Sequence, residues 1–165
     1  MEIRIAKPDD LQAMVEIYNQ SIAAGQQTAD ITPVTISKRE KWFADHRPEK
    51  YPILVAEKDE SIIGYLTISA YRPGRAALRH TAEVSFFIHF DHHRQQVASR
   101  LLQHAIDLSP SLKIKTLFGI LIDSNQASIR FLESFGFEKW GHMPRVAEFE
   151  GIEVGHVYYG LRVDD

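Results

Sequence analysis

An α/β (α+β) fold is predicted by three features of this sequence: a mixed, mostly antiparallel sheet of about seven strands with about four helices on its faces. Segments of alternating and of helical apolar period follow one another in the order β-αα-ββ-β-α-β-α-ββ. One strand–helix–strand stretch, 81–122, is long enough to cross over and return parallel. The other strands are joined by short polar turns, which favour antiparallel hairpins.

Each element has its own justification. Residues 2–6, EIRIA, alternate as a strand. Pro8, Asp9 and Asp10 then punctuate and cap a helix whose Leu11, Met14, Val15 and Tyr18 fall on one face. At 37–40, SKRE has the spacing of a capping box, with Ser37 as cap and Glu40 reaching back, and opens a short amphipathic helix. Strands at 52–57 and 61–71 flank the charged turn KDE as a hairpin. Residues 81–90, TAEVSFFIHF, form a strand with Ala82, Val84, Phe86, Ile88 and Phe90 on one face. Glu83, Ser85, Phe87 and His89 lie on the other. A helix follows over 92–106, with Val97, Leu101 and Ala105 at four-residue spacing. The stretch 113–122 is apolar enough for a strand buried on both faces. Residues 124–137 read as a helix capped near Ser124 or Asn125 and stopped at Gly136. Two strands, 138–149 and 153–163, end the chain.

The 165 residues carry no proline- or serine-rich seam, so one domain, 1–165, is expected. A net charge of −3 gives no electrostatic reason to expect nucleic acid or an anionic membrane. The chain has no cysteine, which removes disulfides, thiolate nucleophiles and thiolate metal sites. Its first residues do not read as a signal peptide, and no apolar run reaches the ~18 residues of a membrane span. A cytoplasmic protein is expected. His89, His92 and His93 lack a carboxylate or thiolate at ligand spacing, so no metal is expected.

The helix at 92–106 begins with an unusual cluster, HHRQQ. In a βαβ unit this helix end opens at the carboxyl end of the preceding strand, where free N–H groups and the positive dipole end favour an anion. His93, Arg94, Gln95 and Gln96 add donors at that point, so the segment reads either as a phosphate site or as a solvated helix start.

The stretch EVSFFIHFDHHRQQVASRLLQHAI resembles the coenzyme A segment of the GNAT superfamily of N-acetyltransferases, in which a strand precedes Arg/Gln-x-x-Gly-x-Gly/Ala and a helix with paired leucines. Together with IYNQSI, KWFADH, RHTAEVS, SNQASIRFLESFGF and GHMPRV, it is most similar to the subgroup that acetylates phosphinothricin and methionine sulfoximine. The resemblance implies a GNAT-like sheet and transfer of acetyl from acetyl-CoA to a small primary amine, an amino acid or its analogue. It implies cofactor binding by His93, Arg94, Gln95, Gln96, Val97, Ala98 and Ser99, by backbone around Phe86, Phe87 and Ile88, and by Asn125 and Ser128. It implies Glu83 as general base through a water, although by itself Glu83 reads as an ordinary strand glutamate. It also points to Arg72, Arg75 and His80, with Arg79 beside them, as acceptor-binding residues. A homodimer is expected by the same analogy.

Three departures bear on these expectations. Arg94 and Gln96 stand where the subgroup has glycine, so a less close approach of backbone to pyrophosphate is expected. Leu132 stands where many members have a tyrosine or histidine able to protonate the thiolate; Tyr158, Tyr159 or His80 are the alternatives. FEGIEVG at 149–155 differs from the subgroup's own stretch and weakens a specific claim for phosphinothricin or methionine sulfoximine. A polyamine, an antibiotic amine or a protein N-terminus is the rival acceptor. An acyl-CoA-binding sensor that has lost catalysis is the rival outside enzymology.

Overall fold

Seven strands and four helices form in the expected order in the computed structural model, which describes residues 1–165. The strands are β1 (Glu2–Ile5), β2 (Ile53–Lys58), β3 (Ser61–Ala70), β4 (Thr81–Ile88), β5 (Thr116–Ile122), β6 (Glu138–Phe149) and β7 (Ile152–Arg162). The helices are α1 (Leu11–Ala24), α2 (Ile36–Asp45), α3 (Val97–Leu108) and α4 (Gln126–Ser134). All seven strands lie in one sheet of order β1-β2-β3-β4-β5-β7-β6, and only β4 and β5 pair in parallel. The β2–β3 turn places Asp59 and Glu60 at positive φ, the geometry that twists in the same sense as a tight hairpin.

Strand alternation decides what covers each face. In β2, Leu54 and Ala56 join the core under α3 and α4, whereas Ile53 and Val55 join the core under α1. The larger core holds Val97, Leu101, Leu102 and Ala105 of α3, none more than 2% exposed. Burying Leu101 and Leu102 contributes roughly 2 kcal/mol each. That contact fixes α3 against β3 and β4, and so fixes where its amino-terminal end opens.

Several local expectations are corrected. The helix expected from residue 92 begins at Val97, and residues 93–96 form a loop after a short 3₁₀ turn, Phe90–His92. Asp10 does not cap α1: its carboxylate accepts from the Lys7 amide at 2.7 Å and from the Arg4 guanidinium at 2.7 and 2.9 Å. A buried acid beside a fork of donors satisfies that cation before it satisfies a helix end. The cap of α2 is Thr35, which accepts from the Lys38 amide at 3.4 Å, and not Ser37. Strand β5 is only half-buried at Thr116, Phe118, Ile120 and Leu121, and its last three residues line a cavity.

Candidate active site

The site originates in a parting of strands. Strands β4 and β5 pair only at Thr81/Thr116, Ala82/Leu117 and Glu83/Phe118. Beyond Glu83 they diverge, although β4 stays paired to β3 as far as Ile88 and β5 to β7 as far as Ile122. In the β3–β4 ladder, the Tyr71 amide donates to Thr81 and the His89 amide to Ile63, at 3.5 and 2.9 Å. Antiparallel pairs alternate, so Glu83, Ser85 and Phe87 spend their backbone groups on β3. Phe86 and Ile88 turn theirs toward the gap, whereas the Val84 amide closes the last bridge to β5. Of the three residues expected to offer backbone donors, Phe86 and Ile88 can do so, and the Phe87 amide is used by the ladder.

Two hollows meet at this gap. One, of about 500 Å³, lies between β4 and the amino-terminal ends of α3 and α4. It is lined by Phe86, Phe87 and Ile88, by His93, Arg94, Gln96, Val97, Ala98 and Ser99, and by Asn125 and Ser128. The other, of about 350 Å³, lies on the α1–α2 side and holds Glu83 with Tyr18, Thr28, Arg39, Trp42, Thr67 and Ser69. Phe86, Phe87, Asn125 and Ser128 line both, so a chain-like ligand can pass from one to the other.

The loop before α3 and the first turn of that helix border the first hollow through His93, Arg94, Gln96, Val97, Ala98 and Ser99. Arg94 and Gln96 both adopt φ +60, the left-handed conformation that glycine supplies in the family pattern. The loop therefore keeps left-handed backbone at both positions despite their side chains. Its internal bonds are few. The ring of His93 contacts the Ile88 carbonyl at 3.0 Å, and Gln95 donates to the Asp91 carbonyl at 3.0 Å. Gln95 faces away from the hollow; its amide is consumed within the loop. Replacing Gln96 by glycine removes the Cβ strain and is expected to raise stability by roughly 0.5–1 kcal/mol in urea unfolding. No gain, or a loss, would mean that the glutamine side chain itself holds the loop.

Asn125 caps α4 by accepting from the Ser128 amide at 3.3 Å, and both residues border the hollow. A pantothenyl chain with a diphosphate fits these residues: backbone donors and Arg94 at one end, Phe86, Ile88 and Phe131 along the middle, and the gap at the other.

Glu83 sits in the second hollow with no hydrogen-bond or ion-pair partner among the side chains. Burial pushes its carboxyl above the usual range, because nothing nearby stabilises the charged form. Directly opposite it on β3 is Ser69, whose hydroxyl lies 3.0 Å from Nε2 of His46. The Nδ1 of that ring lies 2.8 Å from the Trp42 carbonyl, so Nδ1 donates and Nε2 accepts from Ser69. Burial holds His46 below the ordinary histidine range, consistent with that neutral tautomer.

Other expected residues lie elsewhere. Arg72 and Arg75, with Arg79, border a separate hollow beside Tyr51 and Tyr71. His80 Nδ1 lies 2.6 Å from the Lys113 carbonyl on the surface. The structure does not bring these residues to Glu83. Leu132 is fully buried, with its Cδ1 where a Cβ on Gly119 would stand 2.4 Å away, so this position serves the core. Tyr159 donates to Glu133 at 3.1 Å and Tyr158 packs on Phe118, and neither borders the two hollows. Sequence reading missed Tyr18, Thr28, Arg39, Trp42, Ser69 and His156, all of which line the Glu83 cavity. The apolar spacing that places Tyr18 and Trp42 on inward helix faces was their only signal.

The chain is similar to known proteins over nearly its whole length. An acetyltransferase (GNAT) domain family matches residues 3–156. A Bacillus subtilis (strain 168) protein provisionally named a phosphinothricin acetyltransferase is 38% identical, covering 92% of each chain. An L-methionine sulfoximine/L-methionine sulfone acetyltransferase of Pseudomonas aeruginosa is 29% identical over 98% of this chain and 94% of its own. A Salmonella typhimurium protein solved with its cofactor acetyl-CoA superposes with a TM-score of 0.93 at 27% identity, over 100% of this chain and 95% of that one.

Proposed function

This chain belongs to the GNAT acetyltransferase family, and we propose that it acetylates the primary amine of a small amino acid or amino-acid analogue with acetyl-CoA. The observation that carries the reading is the joining of the two hollows at the β4–β5 gap, with Glu83 in the inner one and the α3 loop at the mouth of the outer one. The similarity to acetyltransferases named for methionine sulfoximine and methionine sulfone supports the acceptor class.

Bound acetyl-CoA supplies an activated acyl carbon. The residues that would hold it are Arg94, Gln96, Ala98 and Ser99 at the diphosphate, the backbone of Phe86 and Ile88 along the arm, and Asn125 and Ser128 near the gap. Amides aimed at a carbonyl oxygen in a dry cleft favour the charge that develops there. Glu83 receives the amine's proton, directly or through a water held by Ser69 and Ser85 on the same sheet face. Burial raises its carboxyl, which makes its carboxylate a stronger base than that of an exposed glutamate. The thiolate needs no dedicated acid near neutral pH, since a free thiol titrates at about 8.5.

The same reading takes residues 1–165 as one catalytic domain acting in the cytoplasm as a homodimer. The absence of cysteine fits a reducing compartment. Trp140, Met143, Val146 and Ile152, large apolar residues left exposed on the β6–β7 edge, support a covered edge. No helix is long and apolar enough to cross a membrane. The test is thiol release from acetyl-CoA with a panel of L-methionine sulfone, L-methionine sulfoximine, phosphinothricin, spermidine and an N-terminal peptide. Turnover confined to the amino-acid analogues is expected; turnover confined to spermidine or the peptide overturns the acceptor class. Cofactor binding without turnover of any amine favours a sensor.

A further inference from the structure

Arg39 is the only lysine or arginine bordering the Glu83 cavity, as Glu83 is its only acid. Its guanidinium lies between two rings, 4.4 Å from the Tyr18 centroid and 4.8 Å from that of Trp42. Its side chain is 19% exposed. Such stacking desolvates and orients the plane of the guanidinium but leaves its edge donors free. The one acid near it, Asp30, stands off at 3.6 Å, is half exposed, and is already engaged by the Tyr18 hydroxyl, which also contacts Thr28 at 2.8 Å. An arginine intended only to pair with Asp30 would close that distance with two parallel bonds.

The sheet supplies the rest of the arrangement. Tyr65 and Phe87, Thr67 and Ser85, then Ser69 and Glu83 stand opposite one another along β3 and β4, forming a floor that becomes polar toward Glu83. Tyr18 packs edge-on to Phe87 at 4.9 Å, so Arg39 hangs above the aromatic part of this floor. The cavity therefore presents one arginine and one acid on its wall, with His156 and the hydroxyl groups of Thr67, Ser69 and Ser85 beside them. That is the complement of a zwitterion.

We propose that Arg39 binds the carboxylate of the acceptor amino acid and thereby delivers its amine to Glu83. Arg39 is a substrate-binding residue that sets specificity: an amine lacking the carboxylate leaves the guanidinium edge without its partner, and a polyamine meets a like charge there. The assignment rests on the amino-acid reading above and names the group responsible for it, in place of the distant Arg72 and Arg75.

The experiment compares kcat/KM for L-methionine sulfone with that for its decarboxylated amine, in the wild-type enzyme and in Arg39→Met and Arg39→Lys. The wild-type preference for the amino acid is expected to be about a hundredfold or more. Arg39→Met should cut that preference at least tenfold, chiefly through a higher KM for the amino acid, and Arg39→Lys should keep part of it. A preference that survives in Arg39→Met overturns the assignment alone. A wild-type enzyme that uses both amines equally well overturns the amino-acid reading along with it. A second measurement needs no variant: the desamino analogue of methionine sulfone, which keeps only the carboxylate, should compete with the acceptor in the wild-type enzyme. Absence of competition also overturns the assignment.

Discussion

Glu83→Gln is expected to lower kcat by about a hundredfold or more, the usual contribution of a placed general base, with coenzyme A affinity unchanged. The substitution preserves shape and removes only the ability to accept a proton, and Glu83 lies in the inner cavity, away from the loop that receives the cofactor. The pH profile gives a second reading. The wild-type kcat/KM should rise along two limbs, one from Glu83 above the ordinary carboxylate range and one from deprotonation of the substrate amine. The lower limb should vanish in the variant. Stability should move the opposite way. Burial raises the folded-state carboxyl above its unfolded value, so the folded protein prefers Glu83 protonated. The stability linked to this group is full below the unfolded value and is lost as pH rises through the folded one. At neutral pH the glutamine variant should therefore melt higher than the wild type. A wild-type rate in the variant would remove Glu83 from the mechanism.

The second large effect concerns the mouth of α3. Ala98 is in the first turn of that helix and borders the outer hollow. Ala98→Asp adds a negative charge where two phosphate charges are expected to rest. One such pair at about 4 Å is worth about 4 kcal/mol at the effective dielectric of a partly exposed site, so coenzyme A should bind about a hundredfold more weakly or worse. The fold should not suffer, because an acid in the first turn of a helix is mildly stabilising. Titration calorimetry at two salt concentrations, with Ala98→Asn as the uncharged control, separates charge from bulk. The aspartate penalty should shrink at high salt and the asparagine variant should lose far less. Equal losses in both would assign the effect to crowding, and no loss in either would place the diphosphate elsewhere.

The order of elements, the parallel crossover of β4 and β5, and the two faces of β4 were legible because each rests on local period and connection length. The alternation of Ala82, Val84 and Phe86 against Glu83, Ser85 and Phe87 was enough to put Glu83 on the opposite face from α3. The loop at 93–96 was read as helix because nothing local forbids helix in HHRQQ. In the structure Arg94 and Gln96 take left-handed backbone and the helix starts at Val97, whose side chain is packed in the core with that of Leu101. The acceptor pocket was the least legible part. Arginines 72 and 75 lie close to Glu83 in sequence, but β3 carries the chain past the cavity before the loop that holds them folds over Tyr51. Arg39 is distant in sequence, and α1 packing against α2 brings it in. Contacts between helices that share no hydrogen-bond register leave no periodic trace in a single sequence.

The divergence of β4 from β5 also makes the molecule resemble a half-open book, with two sheet leaves hinged along three residue pairs. A ligand lodged in the crease ties the leaves together. At a hundred times its dissociation constant it adds about 2.7 kcal/mol to the unfolding free energy. Deuterium uptake at the amides of Phe86 and Ile88 should slow on loading, while those of Ser85 and Phe87, locked to β3, should barely respond. The unloaded protein would thus be cleared fastest when acetyl-CoA runs short, and its lifetime would follow the supply of its own cosubstrate.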